Sequence, residues 1–255
     1  SNIESDYVIK YYDYFLEDNT FNIIMEYFDG TDLKTVIDLF KYSNKIINRQ
    51  YILLTIYNLA NGLQEIHRNN IIHGNIRPEN LFLTDDYKIK INNFLILNCP
   101  FNSNNDNKNQ IQKPLYLAPE IMKGLYDNKI DIWAFGCIIY ELCTLKYYIP
   151  SEYLIINTDY YGEKIQNLIE QTLIEESMER PTTEKILEMF KDEEKEILDL
   201  LEGYKMDKLI REDPIMEKFF IEKNINNTFD QIGTEILNRG IYSNKIFEFI
   251  GKYGK

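Results

Sequence analysis

The sequence predicts a mainly α-helical domain with a small two-stranded β hairpin near its N-terminus and an added helical segment at its C-terminus. Three observations carry this. Between Arg49 and His67 the apolar residues Ile52, Leu53, Ile56, Leu59, Leu63 and Ile66 recur at spacings of three and four, the stripe of an amphipathic helix. A long apolar helix opens near Asp131 and ends near Thr144. Ahead of both, the runs from Val8 to Phe15 and from Phe21 to Phe28 read as two strands joined by the turn Leu16-Glu17-Asp18-Asn19-Thr20.

Composition bounds the function. A 44% hydrophobic content over 255 residues supports a real core, and only 7 Pro and 11 Gly argue against global disorder. The net charge of -13 disfavours a general nucleic-acid or anionic-membrane binder, because neither is attracted by a net negative field. Cys99, Cys137 and Cys143 have no metal-ligand spacing and form no even set, which favours a reducing, intracellular compartment. His67 and His73 are the only histidines, so no histidine-rich metal site is possible. There is no signal peptide and no apolar run of about 18 residues. The chain opens on Ser1-Asn2 without a methionine, which leads us to expect a longer natural protein.

The remaining elements follow in order. Asp32 to Lys41 reads as a short helix capped by Thr31, and Asn48 caps the long helix that begins at Arg49. Leu81-Phe82-Leu83 and Tyr87 to Ile91 form a second small hairpin across Thr84-Asp85-Asp86. Asn98 to Lys113 is a polar, Asn-rich loop. Tyr147 to Tyr161 is short and irregular, Gly162 to Glu176 is helical, and Arg180-Pro181 precedes a helix from Glu184 to Phe190. From Lys191 onward the chain reads as three or four helices, with Pro214 in a first turn and Gly240 as a stop.

The stretch from Ile71 to Phe94 carries the strongest motif. His73-Gly74-Asn75, Arg77-Pro78-Glu79-Asn80 and Asn93-Phe94-Leu95 resemble the catalytic loop and the metal-binding loop of eukaryotic protein kinases, His-Arg-Asp, Lys-Pro-x-Asn and Asp-Phe-Gly. Pro114 to Glu120 resembles the Ala-Pro-Glu anchor, and Asp131-Ile-Trp133-Ala-Phe-Gly136 the opening of the buried helix behind it. The first hairpin is similar to kinases of the NIMA-related group. The resemblance divides the chain into residues 1–28, a remnant hairpin and linker of the small lobe; residues 29–190, a kinase-like large lobe; and residues 191–255, a C-terminal helical extension.

The resemblance also assigns roles. Asn75 stands where the family has its base and Asn93 where it has a metal carboxylate, while Asn80 and Arg77 are retained. An amide cannot accept a proton as that aspartate does, and it brings no negative charge to Mg²⁺. His73, Phe94, Glu120, Asp131, Trp133 and Arg180 match structural positions, with Glu120 and Arg180 paired and Asp131 holding the loop near His73. Glu26 and Tyr27 match the residues that meet the adenine edge, and Phe82 the floor beneath it. No Gly-rich phosphate loop or strand lysine is recognisable. The sequence therefore implies a truncated small lobe and a pseudokinase rather than an enzyme, with no cofactor and with ATP and Mg unexpected. It implies a scaffold or allosteric subunit that binds a protein partner. Val8, Phe15, Phe21, Ile23 and Met25 of the hairpin, with Tyr147 and Tyr148, are the candidate contacts. Two alternatives remain open: part of a split or longer kinase-like protein with residual ATP binding or Ser/Thr kinase activity, and a structural component of a cytoskeletal or ciliary assembly.

Overall fold

The computed structural model describes residues 5–18, 20–27, 30–84, 88–94, 115–150 and 154–201. The chain divides into two compact units, Ser1–Tyr204 and Lys205–Lys255, and every described residue lies in the first. The helices expected beyond residue 201, the Asn-rich loop from Asn98 to Lys113, and Leu95 fall outside the described residues. So does any covering of the hairpin by those helices.

Strands β1 (Tyr11–Glu17) and β2 (Thr20–Met25) pair antiparallel as a two-stranded sheet. The first strand begins later than the sequence predicts. Val8 instead makes an isolated parallel bridge to Ile91: the Ile91 N–H donates to Tyr7 O (2.8 Å), and the Ile9 N–H donates to Ile91 O (3.0 Å). Val8 is only 2% exposed and Ile9 is buried beside it. Val8 is therefore not available to a partner. Its apolar side chain is already covered within the lobe.

A second sheet has the order β3 (Gly30–Asp32), β4 (Leu81–Thr84), β5 (Ile89–Ile91), all antiparallel. Helix α1 runs from Leu33 to Ser43. Its cap is Asp32 rather than Thr31: Asp32 Oδ1 accepts from the Thr35 N–H at 2.8 Å, satisfying one of the donors a helix start leaves open.

Helix α2 (Arg49–Arg68) is the centre of the lobe. Asn48 caps it as expected, and its predicted stripe, Ile52, Leu53, Ile56, Leu59, Leu63 and Ile66, is fully buried. It packs against β5, α3 (Lys129–Thr144), α6 (Thr183–Met189) and α7 (Glu194–Leu201). The short α4 (Thr158–Tyr161) leads into α5 (Glu163–Thr172), which packs on α3. Helix α3 is buried from Ile130 to Cys143, all the way round, which explains its continuous apolar run. Gly136 allows α3 and α5 to approach: a Cβ there would lie 2.3 Å from Thr172 Oγ1. Among the described residues, no helix is long and apolar enough to cross a membrane.

Candidate active site

The site is built on the loop from Ile71 to Asn80 and the turn after β5. Asp131, buried in the first turn of α3, holds that loop by two hydrogen bonds and ties it to His67 of α2 by a third. Its Oδ2 accepts from the His73 N–H (2.9 Å) and from His67 Nε2 (2.9 Å), and its Oδ1 accepts from the Gly74 N–H (2.8 Å). Gly74 has φ +71°, a left-handed conformation that glycine adopts without strain. The His73 ring is buried with both nitrogens in use. The Asn75 N–H donates to Nδ1 (3.2 Å), so Nδ1 is unprotonated and Nε2–H donates to Asn92 O (3.0 Å). Burial pushes the imidazole down to about 4, with the Asp131 charge opposing the shift only in part. His73 is thus a neutral structural ring, packed on Phe94 with centroids 4.5 Å apart and the planes tilted by 43°.

Asn75, Asn80 and Asn93 form one hydrogen-bonded network. Asn75 Nδ2 donates to Asn93 O (2.9 Å), Asn80 Nδ2 donates to Asn75 O (2.8 Å), and Asn93 Nδ2 donates to Asn80 Oδ1 (3.1 Å). Asn93 sits at φ +60°, a region asparagine tolerates better than most side chains. Tyr11 of β1 bonds the same turn from the first hairpin. Its hydroxyl donates to Asn92 Oδ1 and accepts from the Asn93 N–H (3.2 Å), and its ring meets Phe94 edge-on. Sequence reasoning missed Tyr11, because nothing local distinguishes it from Tyr12 or Tyr14.

Arg77 pairs with Glu79 through two bonds, Nε to Oε2 at 2.8 Å and Nη2 to Oε1 at 3.0 Å. Burial works against the Glu79 carboxylate, but this guanidinium outweighs it and holds Glu79 below the usual range. Beside Arg77, a pocket of about 110 Å³ opens between Gly74–Arg77 and Leu115–Leu117, with Asp131 and Ala134 at its floor. Next to it lies a second group the sequence did not flag. Glu141 of α3, 0% exposed, accepts from Lys41 Nζ (2.7 Å) and from the Tyr116 hydroxyl (2.5 Å). Burial and the Glu141 charge drive the Tyr116 phenol far up. A Glu inside an otherwise apolar helix was the available signal.

Other assigned residues are placed as follows. Glu26 has its backbone N–H on Lys10 O (2.8 Å) and its carboxylate on Lys90, and Tyr27 is exposed. Phe82 is half-buried on β4 between Asp32 and Lys90. Phe15 is buried and Met25 half-buried, while Ile23 is 46% exposed. The side chain of Phe21 is outside the description. The exposed apolar side chains of β1 are Tyr12, Tyr14 and Leu16, on the residues between the ones named from sequence. Tyr147 and Tyr148 are half-buried in aromatic clusters. Tyr147 lies under Lys41 (4.6 Å) and edge-on to Tyr116, and Tyr148 packs on Trp133 and Tyr140. They are packing residues rather than an open contact surface.

Arg180 and Glu120 pair as the resemblance implies, at 2.6 and 2.9 Å, with the guanidinium over the Trp133 ring at 4.9 Å. Arg180 is 2% exposed. Its remaining N–H groups go to the carbonyls of Ile174, Lys129 and Glu175, so all five donors are satisfied.

A loop held by a buried aspartate, a second loop with its side chains turned toward the first, and an Arg–Glu pair locking the segment beyond them define a protein-kinase type of domain. The chain belongs to the protein kinase domain family, whose profile matches residues 1–203. It is similar to the probable serine/threonine-protein kinase nek3 of Dictyostelium discoideum, with 32% identity over 74% of this chain and 18% of that protein. It is also similar to the mouse serine/threonine-protein kinases Nek1 (29%; 74% of this chain, 16% of that protein) and Nek2 (28%; 71% and 45%). The chain thus spans between 16% and 45% of the length of these relatives. These similarities correct one expectation. The sequence reading of a non-enzyme weighed Asn75, Asn93 and the unrecognised phosphate loop and strand lysine, whereas a kinase-domain match across residues 1–203 and Ser/Thr kinase relatives near 30% identity point to an enzyme.

The family's magnesium ion was tested against the donors present. Mg²⁺ takes hard oxygen ligands, carboxylates above all. Here Asn80 Oδ1 already accepts from Asn93, Glu79 is paired with Arg77, and Asp131 is spent on the loop. The described residues offer no grouping of His, Cys, Asp and Glu that could hold a metal. They do not fit the ion.

Proposed function

We propose that this chain is the large-lobe part of a Ser/Thr protein kinase, working within a longer or split kinase-like protein that binds ATP and transfers its phosphate slowly to protein hydroxyls. The observation that carries this is the joining of the two loops. Asn75 Nδ2 donates to Asn93 O at 2.9 Å, within a stretch matched as a protein kinase domain. The pocket beside Asn75 and Arg77 suits the acceptor side chain, because it opens directly onto the residue at the base position. Asn75 can orient a hydroxyl but cannot take its proton. Losing a general base removes about 10²- to 10⁴-fold in rate, and that loss by itself leaves a slow enzyme rather than none. Phosphotransfer from labelled ATP to a Ser/Thr-rich acceptor, by the complete gene product carrying this chain, tests the reading. Slow incorporation confined to Ser and Thr is the expected result. No incorporation and no ATP-dependent thermal shift would overturn it.

A further inference from the structure

We infer that the cleft engages the polyphosphate of its nucleotide without help from a divalent cation. This rests on the kinase reading above and follows from the direction in which the three amides point. Their orientations are fixed by the network. Asn75 faces a carbonyl, Asn93 O, so its near group is the NH₂. Asn80 faces the carbonyl of Asn75, so it too presents NH₂ there and turns its Oδ1 toward Asn93. Asn93 must then face that oxygen with its own NH₂.

The retained ligand oxygen, Asn80 Oδ1, thus accepts an N–H from Asn93, and each of the three amides turns its NH₂ into the network. Each NH₂ carries two hydrogens, and the bond described uses one of them. The second hydrogen of each NH₂ can serve a phosphate oxygen, whereas a divalent cation finds three neutral amides and no carboxylate among these side chains. The neighbouring charges do not change it. Glu79 is neutralised by Arg77, and Glu26 by Lys90. A polyphosphate entering this cleft meets no unpaired carboxylate among these groups, so it has no repulsion for a metal ion to relieve. Any Mg²⁺ present would be held by the phosphates alone.

Calorimetric titration of ATP into the complete gene product, in magnesium chloride and again in EDTA, tests this. Affinities equal within about twofold are expected, since a carboxylate–cation attraction is the term that is missing. Asn93→Asp is expected to make ATP bind at least about tenfold more tightly with magnesium than without it, because a carboxylate attracts the ion. Manganese(II) paramagnetic resonance should report a protein-bound ion in that variant and not in the wild type. Wild-type binding that needs magnesium would overturn the inference and leave the kinase reading standing. No ATP binding in either buffer would overturn both.

Discussion

His73 concentrates the chemistry of the site in one ring. Its folded-state value of about 4 lies below the ordinary 6.5 because the ring is buried. Between those values the unfolded chain binds a proton that the folded one refuses, so stability falls as pH drops through this window and is complete above 6.5. The loss should approach about 3 kcal/mol near pH 4 and should vanish in a His73→Gln variant compared over the same range. Denaturant melts at pH 7 and pH 4.5 would check it; a wild type and variant with the same pH slope would contradict it. Glu120 makes a second residue-level case. Glu120→Ala leaves Arg180 charged, buried and short of two acceptors, and should cost about 3–5 kcal/mol. Chemical denaturation would show it, and a loss below about 1 kcal/mol would mean that water reaches the guanidinium.

At the scale of elements, the α3–α5 interface depends on a missing side chain. Alanine is a better helix former than glycine by about 1 kcal/mol, yet Gly136→Ala should destabilise by about 1–3 kcal/mol, because its Cβ would be driven into Thr172. A raised melting temperature would show that the two helices can part. The cap at Asp32 should be worth about 1 kcal/mol by Asp32→Ala, read the same way.

Most of these elements were legible in the sequence, for physical reasons that differ. The stripe on α2 and the cap at Asn48 are local patterns and read directly. The Glu120–Arg180 pair spans 60 positions and is visible only through family resemblance. Strand β3 was missed because Gly30-Thr31-Asp32 has turn chemistry and becomes a strand only by pairing with β4. The burial of Val8 and the bond from Tyr11 to the metal-loop backbone depend on long-range contacts with residues 91–93, which no periodicity announces.

At the scale of the molecule, the scaffold and the chemistry separate. Asp131, His73, Arg180 and Glu120 hold the loops as a kinase lobe needs them, while the side chains those loops present are amides. The sequence showed both facts, but the second, with the unrecognised phosphate loop and lysine, led to a non-enzyme, and the kinase relatives across most of the chain correct that. The slow enzyme proposed above would reconcile them. The most direct test restores the base. Phosphotransfer rates of the complete gene product should be compared for the wild type and Asn75→Asp, with thermal melts confirming that both are folded. The expected result is measurable transfer by the wild type and a gain of about 10²- to 10⁴-fold in the variant. Two folded proteins that both fail to move phosphate, or that move it at the same rate, would contradict the account.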